Sequence, residues 1–263
     1  MSRIRLMFAL ARATLSEAIR DRILYGLVLF AIGLILLSVV LSNLTLGFRV
    51  RIITDLSLSA ISFAGMMLAV LLGVGSVARE VERRTAYPIL AKPAGRAEYV
   101  LGKYLGVVMT TWLNLLLMMV AATAVIQLYR WEGGFLFSWG DYALTLLMVL
   151  LRVAVVAAAA VMFSTFTSST VSFIASLGFS VAGYFTGEVK YFLSKSESEV
   201  TRWVGDGLYY LLPDFASLDP LPRLLYSHTI LTPQTVFGIG YALCYIGCLL
   251  AIATAIFRKR DLA

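Results

Sequence analysis

Few residues in this 263-residue chain could carry out covalent chemistry. His228 is the single histidine, and one imidazole in loop-like sequence makes no metal constellation. Cys244 and Cys248 stand at i and i+4, on one face of a helix. With Met66, Met67, Met109, Met118 and Met119 they offer soft donors for Cu(I), although methionine is also ordinary packing material in apolar helices. There is no C-x-x-C pair. No G-x-x-x-x-G-K-[ST] occurs, since Gly102-Lys103 lacks the upstream glycine and the following hydroxyl residue, and neither H-E-x-x-H nor G-x-S-x-G is present. The expectation is a chain with no catalytic residue, no metal and no cofactor of its own.

Two charged features remain. Arg152 lies in the middle of an apolar run and is the one ionisable residue expected that deep, so no relay of paired acids is visible. An arginine at mid-span costs at least about 2.5–3.5 kcal/mol on insertion scales, so it faces protein or water. Arg152 is therefore a candidate lining of a pathway or a contact for an anion. The competing reading is a structural arginine held by hydroxyls or carbonyls of neighbouring spans. The second feature is Ala78 to Gly106, the long charged passage between two apolar runs, with Arg79, Arg83, Arg84, Lys92, Arg96 and Lys103 against Glu80, Glu82 and Glu98. Pro88 and Pro93 must break any helix there, because proline lacks the amide donor and crowds the preceding turn. Charged helical ends joined by a short kinked piece can pass force from a docked soluble partner into the spans.

The elements that position these residues are apolar helices. Hydrophobic residues make up 60% of the chain and charged residues 14%, well away from the near-half and one-quarter of a soluble domain. Runs of about 20 apolar residues cross a bilayer, and six are expected: 23–43, 56–78, 105–128, 142–163, 171–187 and 237–257. Residues 142–187 are too long for one span, and the polar run Ser164–Thr170 suits a turn and a new N-cap that make a hairpin of it. Gly102 and Gly106 form a small-x-x-x-small pair that favours close helix packing. Residues 1–22 carry Ile4, Phe8, Ala11, Leu15 and Ile19 at helical spacing and are expected to lie as an amphipathic helix in the membrane interface. No cleavable signal pattern is expected in them. Residues 188–232, with Pro213, Pro220 and Pro222, are expected as short helices and loops outside the membrane, dipping into it near Leu208–Leu212. The fold class is thus all-α integral membrane, with six transmembrane helices.

The net charge of +7 does not point to nucleic acid, because the bases cluster at the ends of apolar runs, where they set topology and meet anionic lipid. With six spans both termini share one side with residues 79–104. That side collects Arg3, Arg5, Arg12, Arg20, Arg22, the six bases of Ala78–Gly106 and Arg258, Lys259 and Arg260. The other holds Arg49, Arg51, Arg130, Lys190, Lys195, Arg202 and Arg223. The richer side is expected to be cytoplasmic.

Glu82-x-x-Thr85 followed by Leu90-Ala91-Lys92-Pro93-Ala94-Gly95-Arg96-Ala97-Glu98-Tyr99-Val100-Leu101-Gly102-Lys103 resembles the loop between the second and third spans of type-2 ABC exporter permeases. There an acidic residue and Gly-Thr precede a P-x-x-R-x-E-y-x-x-G-K segment; here Arg84 stands at the usual glycine. Glu17-Ala18-Ile19-Arg20-Asp21-Arg22 is similar to their elbow helix, and Leu212-Pro213-Asp214 and Phe257-Arg258-Lys259-Arg260-Asp261-Leu262 also have counterparts. The resemblance implies a cytoplasmic coupling helix within 79–104, an ATP-binding cassette subunit that binds the ATP, and a second permease, identical or homologous. It implies an ATPase-coupling interface at Glu80, Glu82, Arg83, Arg84, Thr85, Pro88, Pro93, Arg96 and Glu98. The expected function is a transport subunit of the inner membrane, exporting an unidentified cargo. Two other classes compete: a lipid-modifying membrane enzyme, which needs clustered acids or histidines, and a non-transporting membrane anchor.

Overall fold

The computed structural model describes residues 3–18, 22–43, 49–82, 95–133, 138–195, 203, 207, 212–216, 218, 219, 221, 224 and 232–259. Among them the regular structure is helical. In chain order the delimited helices are α1 (Arg3–Ala18), α2 (Arg22–Ser42), α3 (Arg49–Glu82), α4 (Arg96–Gly133), α5 (Trp139–Ser164), α6 (Ser169–Tyr184), α7 (Thr186–Ser194) and α8 (Pro233–Lys259). Among the described residues, α2, α3, α4, α5 and α8 are each long and apolar enough to cross a membrane, and α6 with α7 would make a sixth span, bent by 68°.

The central rod is α5. Every residue from Met148 to Val161 is buried, including the run Ala157-Ala158-Ala159-Ala160. A helix buried on all sides must be apolar on all sides, and small side chains let its neighbours come close. Helix α3 does so at Gly73, where an added Cβ would lie 2.6 Å from the Cβ of Ala160. Across α4 the indole of Trp112 donates to the carbonyl of Leu150 at 3.1 Å. Helices α2 and α8 are peripheral, with large apolar side chains such as Leu29, Phe30, Phe237 and Leu243 turned outward. Outside water, a hydroxyl needs an internal partner, and Ser38, Thr54, Ser76, Thr110, Ser164 and Ser176 each donate to a carbonyl one turn back.

Two expectations change. Helix α3 starts at Arg49, ahead of the expected span 56–78, so Arg49, Arg51 and Asp55 are already helical. The stretch expected as span 171–187 is a 16-residue helix that ends at Tyr184, followed by a sharp bend. The break has a local cause. The hydroxyl of Thr186 lies within 3.1 Å of the carbonyls of Ala182, Gly183 and Pro213, and the Phe215 amide donates to the Gly183 carbonyl at 3.0 Å. Carbonyls that would continue the helix are capped from outside it. Helix α1 is docked on α4. Ala11 and Thr14 are buried, and Cβ atoms built on Gly102 and Gly106 of α4 would meet Leu10 and Thr14 at 3.0 and 2.6 Å. The apolar stripe of the sequence splits, with Ala11 facing α4 and Phe8 exposed.

The turn at Ser164–Thr170 makes the expected hairpin between α5 and α6. Ser168 holds the N-cap position without a side-chain cap bond; Thr167 instead donates to the Phe163 carbonyl or shares a 2.6 Å bond with Ser172.

Candidate functional site

Arg152 stands at the middle of α5 and is 3% exposed. Its Nη2 donates to the Ser62 hydroxyl of α3 at 2.8 Å. The Tyr184 ring at the end of α6 lies 5.2 Å from the guanidinium carbon, within cation–π range. Its Nη1 is 3.4 Å from Oδ1 of Asp219. The geometry of that contact is an ion pair without a hydrogen bond, and Nη1 is buried with no hydrogen-bond acceptor among the described residues.

Asp219 comes from the stretch after α7. Of this stretch, residues 212–216, 218, 219, 221 and 224 pack on the bundle as a strap. Phe215, Leu218 and Leu224 are fully buried. Phe215 seats against Gly183, where a Cβ would approach its ring within 2.6 Å, and Leu218 reaches within 3.3 Å of a Cβ on Gly238 of α8. The Asp214 amide donates to the Tyr241 hydroxyl at 3.3 Å. Asp219 Oδ1 accepts from the Leu221 amide at 3.2 Å, which fixes a local turn.

Together these elements enclose a half-open cavity of about 240 Å³, lined on its polar side by Ser59, Ser62, Thr145, Arg152, Tyr184 and Asp219. The expectation of a solitary deep charge is thereby corrected: an acid reaches Arg152 through tertiary packing of the strap. Sequence reasoning missed Asp219, Ser62 and Tyr184. The signal that could have found Asp219 is the proline-flanked run Leu218-Asp219-Pro220-Leu221-Pro222, an apolar stretch with one acid in a segment read as solvated.

The second group of expected site residues is only partly visible. Helix α3 continues through Glu80 to Glu82 and α4 begins at Arg96. Arg83, Arg84, Thr85, Pro88 and Pro93 lie outside the described residues, as do Leu208–Leu211. Glu98 is half-buried and folds back over Gly95, whose carbonyl accepts the first helical bond from the Tyr99 amide at 3.2 Å. One turn on, Tyr99 is fully buried and stacks on Phe257 of α8, centroids 5.5 Å apart and planes 14° from parallel. Lys103, counted above as a topology signal, is buried, with its ammonium 5.9 Å from the Tyr99 ring centre. The first turns of α4 therefore hold α1 on one side and α8 on another. Cys244 and Cys248 are both exposed on α8.

A family model described as ABC-2 family transporter protein matches residues 8–262. The chain belongs to the ABC-2 transporter family. A search of curated proteins found no match. Membership makes this ABC-2 protein the membrane permease of an ABC transporter, and its apolar helices make it a multi-pass membrane protein. ABC-2 permeases generally work with an ATP-binding cassette subunit. The match spans both the Arg152 cavity and the first turns of α4, so both belong to the ABC-2 unit.

Proposed function

We propose that this ABC-2 chain is the permease subunit of an exporter in the cytoplasmic membrane, both termini inside, paired with a second identical or homologous permease. Separate ATP-binding cassette subunits bind and hydrolyse the ATP, so the chain itself needs no cofactor. They dock on a cytoplasmic coupling helix within residues 79–104, through Glu80, Glu82, Arg83, Arg84, Thr85, Pro88, Pro93, Arg96 and Glu98. Helix α1 serves as the interface elbow. When ATP closes the cassettes, the coupling element moves and the spans rock between inward- and outward-facing states, with Arg152 lining the route.

The observation that carries this reading is the grip on the start of α4. Helices α3 and α4 run unbroken to Glu82 and from Arg96, and α4 is clamped there by α1 at Gly102 and Gly106 and by Phe257 at Tyr99. A push on residues 79–104 is thus delivered to three helices at once, as a lever needs. The experiment is affinity capture of the tagged chain from its native membrane. A nucleotide-binding subunit is expected to co-purify, and Glu80→Lys with Glu82→Lys should abolish its capture while leaving the melting temperature of the permease unchanged. A cysteine at Lys92 should react only with reagent on the cytoplasmic side; labelling from outside would end the proposal.

A further inference from the structure

The Arg152 cavity does not end at its polar wall. Ser59 and Phe63 line it, and the same two residues line an apolar groove of about 320 Å³ between α2 and α3, continued by Phe30, Leu34, Leu37 and Leu41. Phe63 is 47% exposed, so groove and cavity meet at the surface that lipid chains would touch. We infer that this composite is a binding site for an amphiphile, with a small anionic head, phosphate or carboxylate, at Arg152 and an alkyl chain along the α2–α3 groove.

Three observations converge on that chemistry. The guanidinium presents a planar fork suited to a two-oxygen anion, yet of its two Nη atoms Nη2 has the Ser62 hydroxyl as acceptor while Nη1 is buried without one among the described residues. Asp219 neutralises the charge from 3.4 Å, but its Oδ1 is already taken by the Leu221 amide. It is also the more exposed partner, at 28% against 4%, and sits on a strap rather than a helix. An arriving anion supplies the missing acceptor and displaces the carboxylate from Nη1, which keeps its bond to Leu221. Finally, the groove beyond Phe63 is walled by apolar side chains along its α2 side, which suits hydrocarbon and rejects a second charge.

The site goes beyond the coupling reading and does not rest on it; binding is tested without any ATPase. The full chain is placed in phosphatidylcholine nanodiscs doped with phosphatidic acid carrying a diazirine in its acyl chain, and crosslinks are mapped by mass spectrometry. Labelling is expected at Phe30, Leu34 and Phe63, about tenfold above that from a phosphatidylcholine probe of the same chain, the ratio set by a charge-assisted hydrogen bond. Arg152→Gln should reduce it to the phosphatidylcholine level. Asp219→Asn should raise it, because the competing carboxylate is gone, and this variant decides the matter if Arg152→Gln fails to fold. Equal labelling by the two probes, an unchanged folded Arg152→Gln, or no rise in Asp219→Asn overturns the site. Displacement by millimolar inorganic phosphate would mean a free-anion site instead, which also sinks the amphiphile.

Discussion

Arg152 shows how much a single buried charge depends on what reaches it. Leaving it in hydrocarbon is costly, and Ser62, Tyr184 and Asp219 each offset part of that cost from a different element. Removing one member of such a pair strands the other. Asp219→Ala is therefore expected to cost about 1–3 kcal/mol, below the full penalty for a completely buried pair because Asp219 keeps some exposure. Arg152→Met combined with Asp219→Ala should be less harmful than Asp219→Ala alone, since the stranded charge is gone. Thermal melts of Asp219→Ala, Arg152→Met and the double variant beside the parent, in one detergent, form a double-mutant cycle. Additive losses would show that the two side chains do not interact.

Among the elements, the glycines divide into those that set helix distance and those that do not. Gly73 lets α3 close on α5, with an added Cβ 2.6 Å from Ala160, whereas Gly178 of α6 has open space around the same position. Gly73→Ala should destabilise the protein by about 1–3 kcal/mol through overpacking. Gly178→Ala should be neutral or stabilising by up to about 1 kcal/mol, because it only improves helix propensity. Opposite shifts in melting temperature are the expected readout, and equal shifts would refute the α3–α5 approach. The same logic explains the bend after Tyr184. Gly183 admits the Phe215 ring, and the strap then caps the end of α6. A hydropathy reading continues the span through Gly187, because nothing in residues 171–187 themselves announces that their carbonyls will be taken by Phe215.

For the whole molecule, the question is how a displacement at one end travels. Tyr99 joins α4 to α8 by ring stacking, and the proposed lever depends on it. Tyr99→Ala should leave cassette capture intact but make ATP hydrolysis by the complex insensitive to the permease, while Tyr99→Phe restores the response. Hydrolysis measured in reconstituted vesicles checks this, and a fully responsive Tyr99→Ala complex would show that α8 does not share the stroke. The amino-acid sequence by itself was enough for the all-helical membrane class, for the hairpin turn at Ser164–Thr170 and for the family resemblance, because these rest on run length, composition and local motif. Only the tertiary structure decided that α1 docks on Gly102 and Gly106, that the fifth apolar stretch, 171–187, bends, and that Asp219 meets Arg152. Those outcomes depend on side chains far apart in the chain, and no local period or propensity records which distant surface a glycine, a strap or a carboxylate will meet.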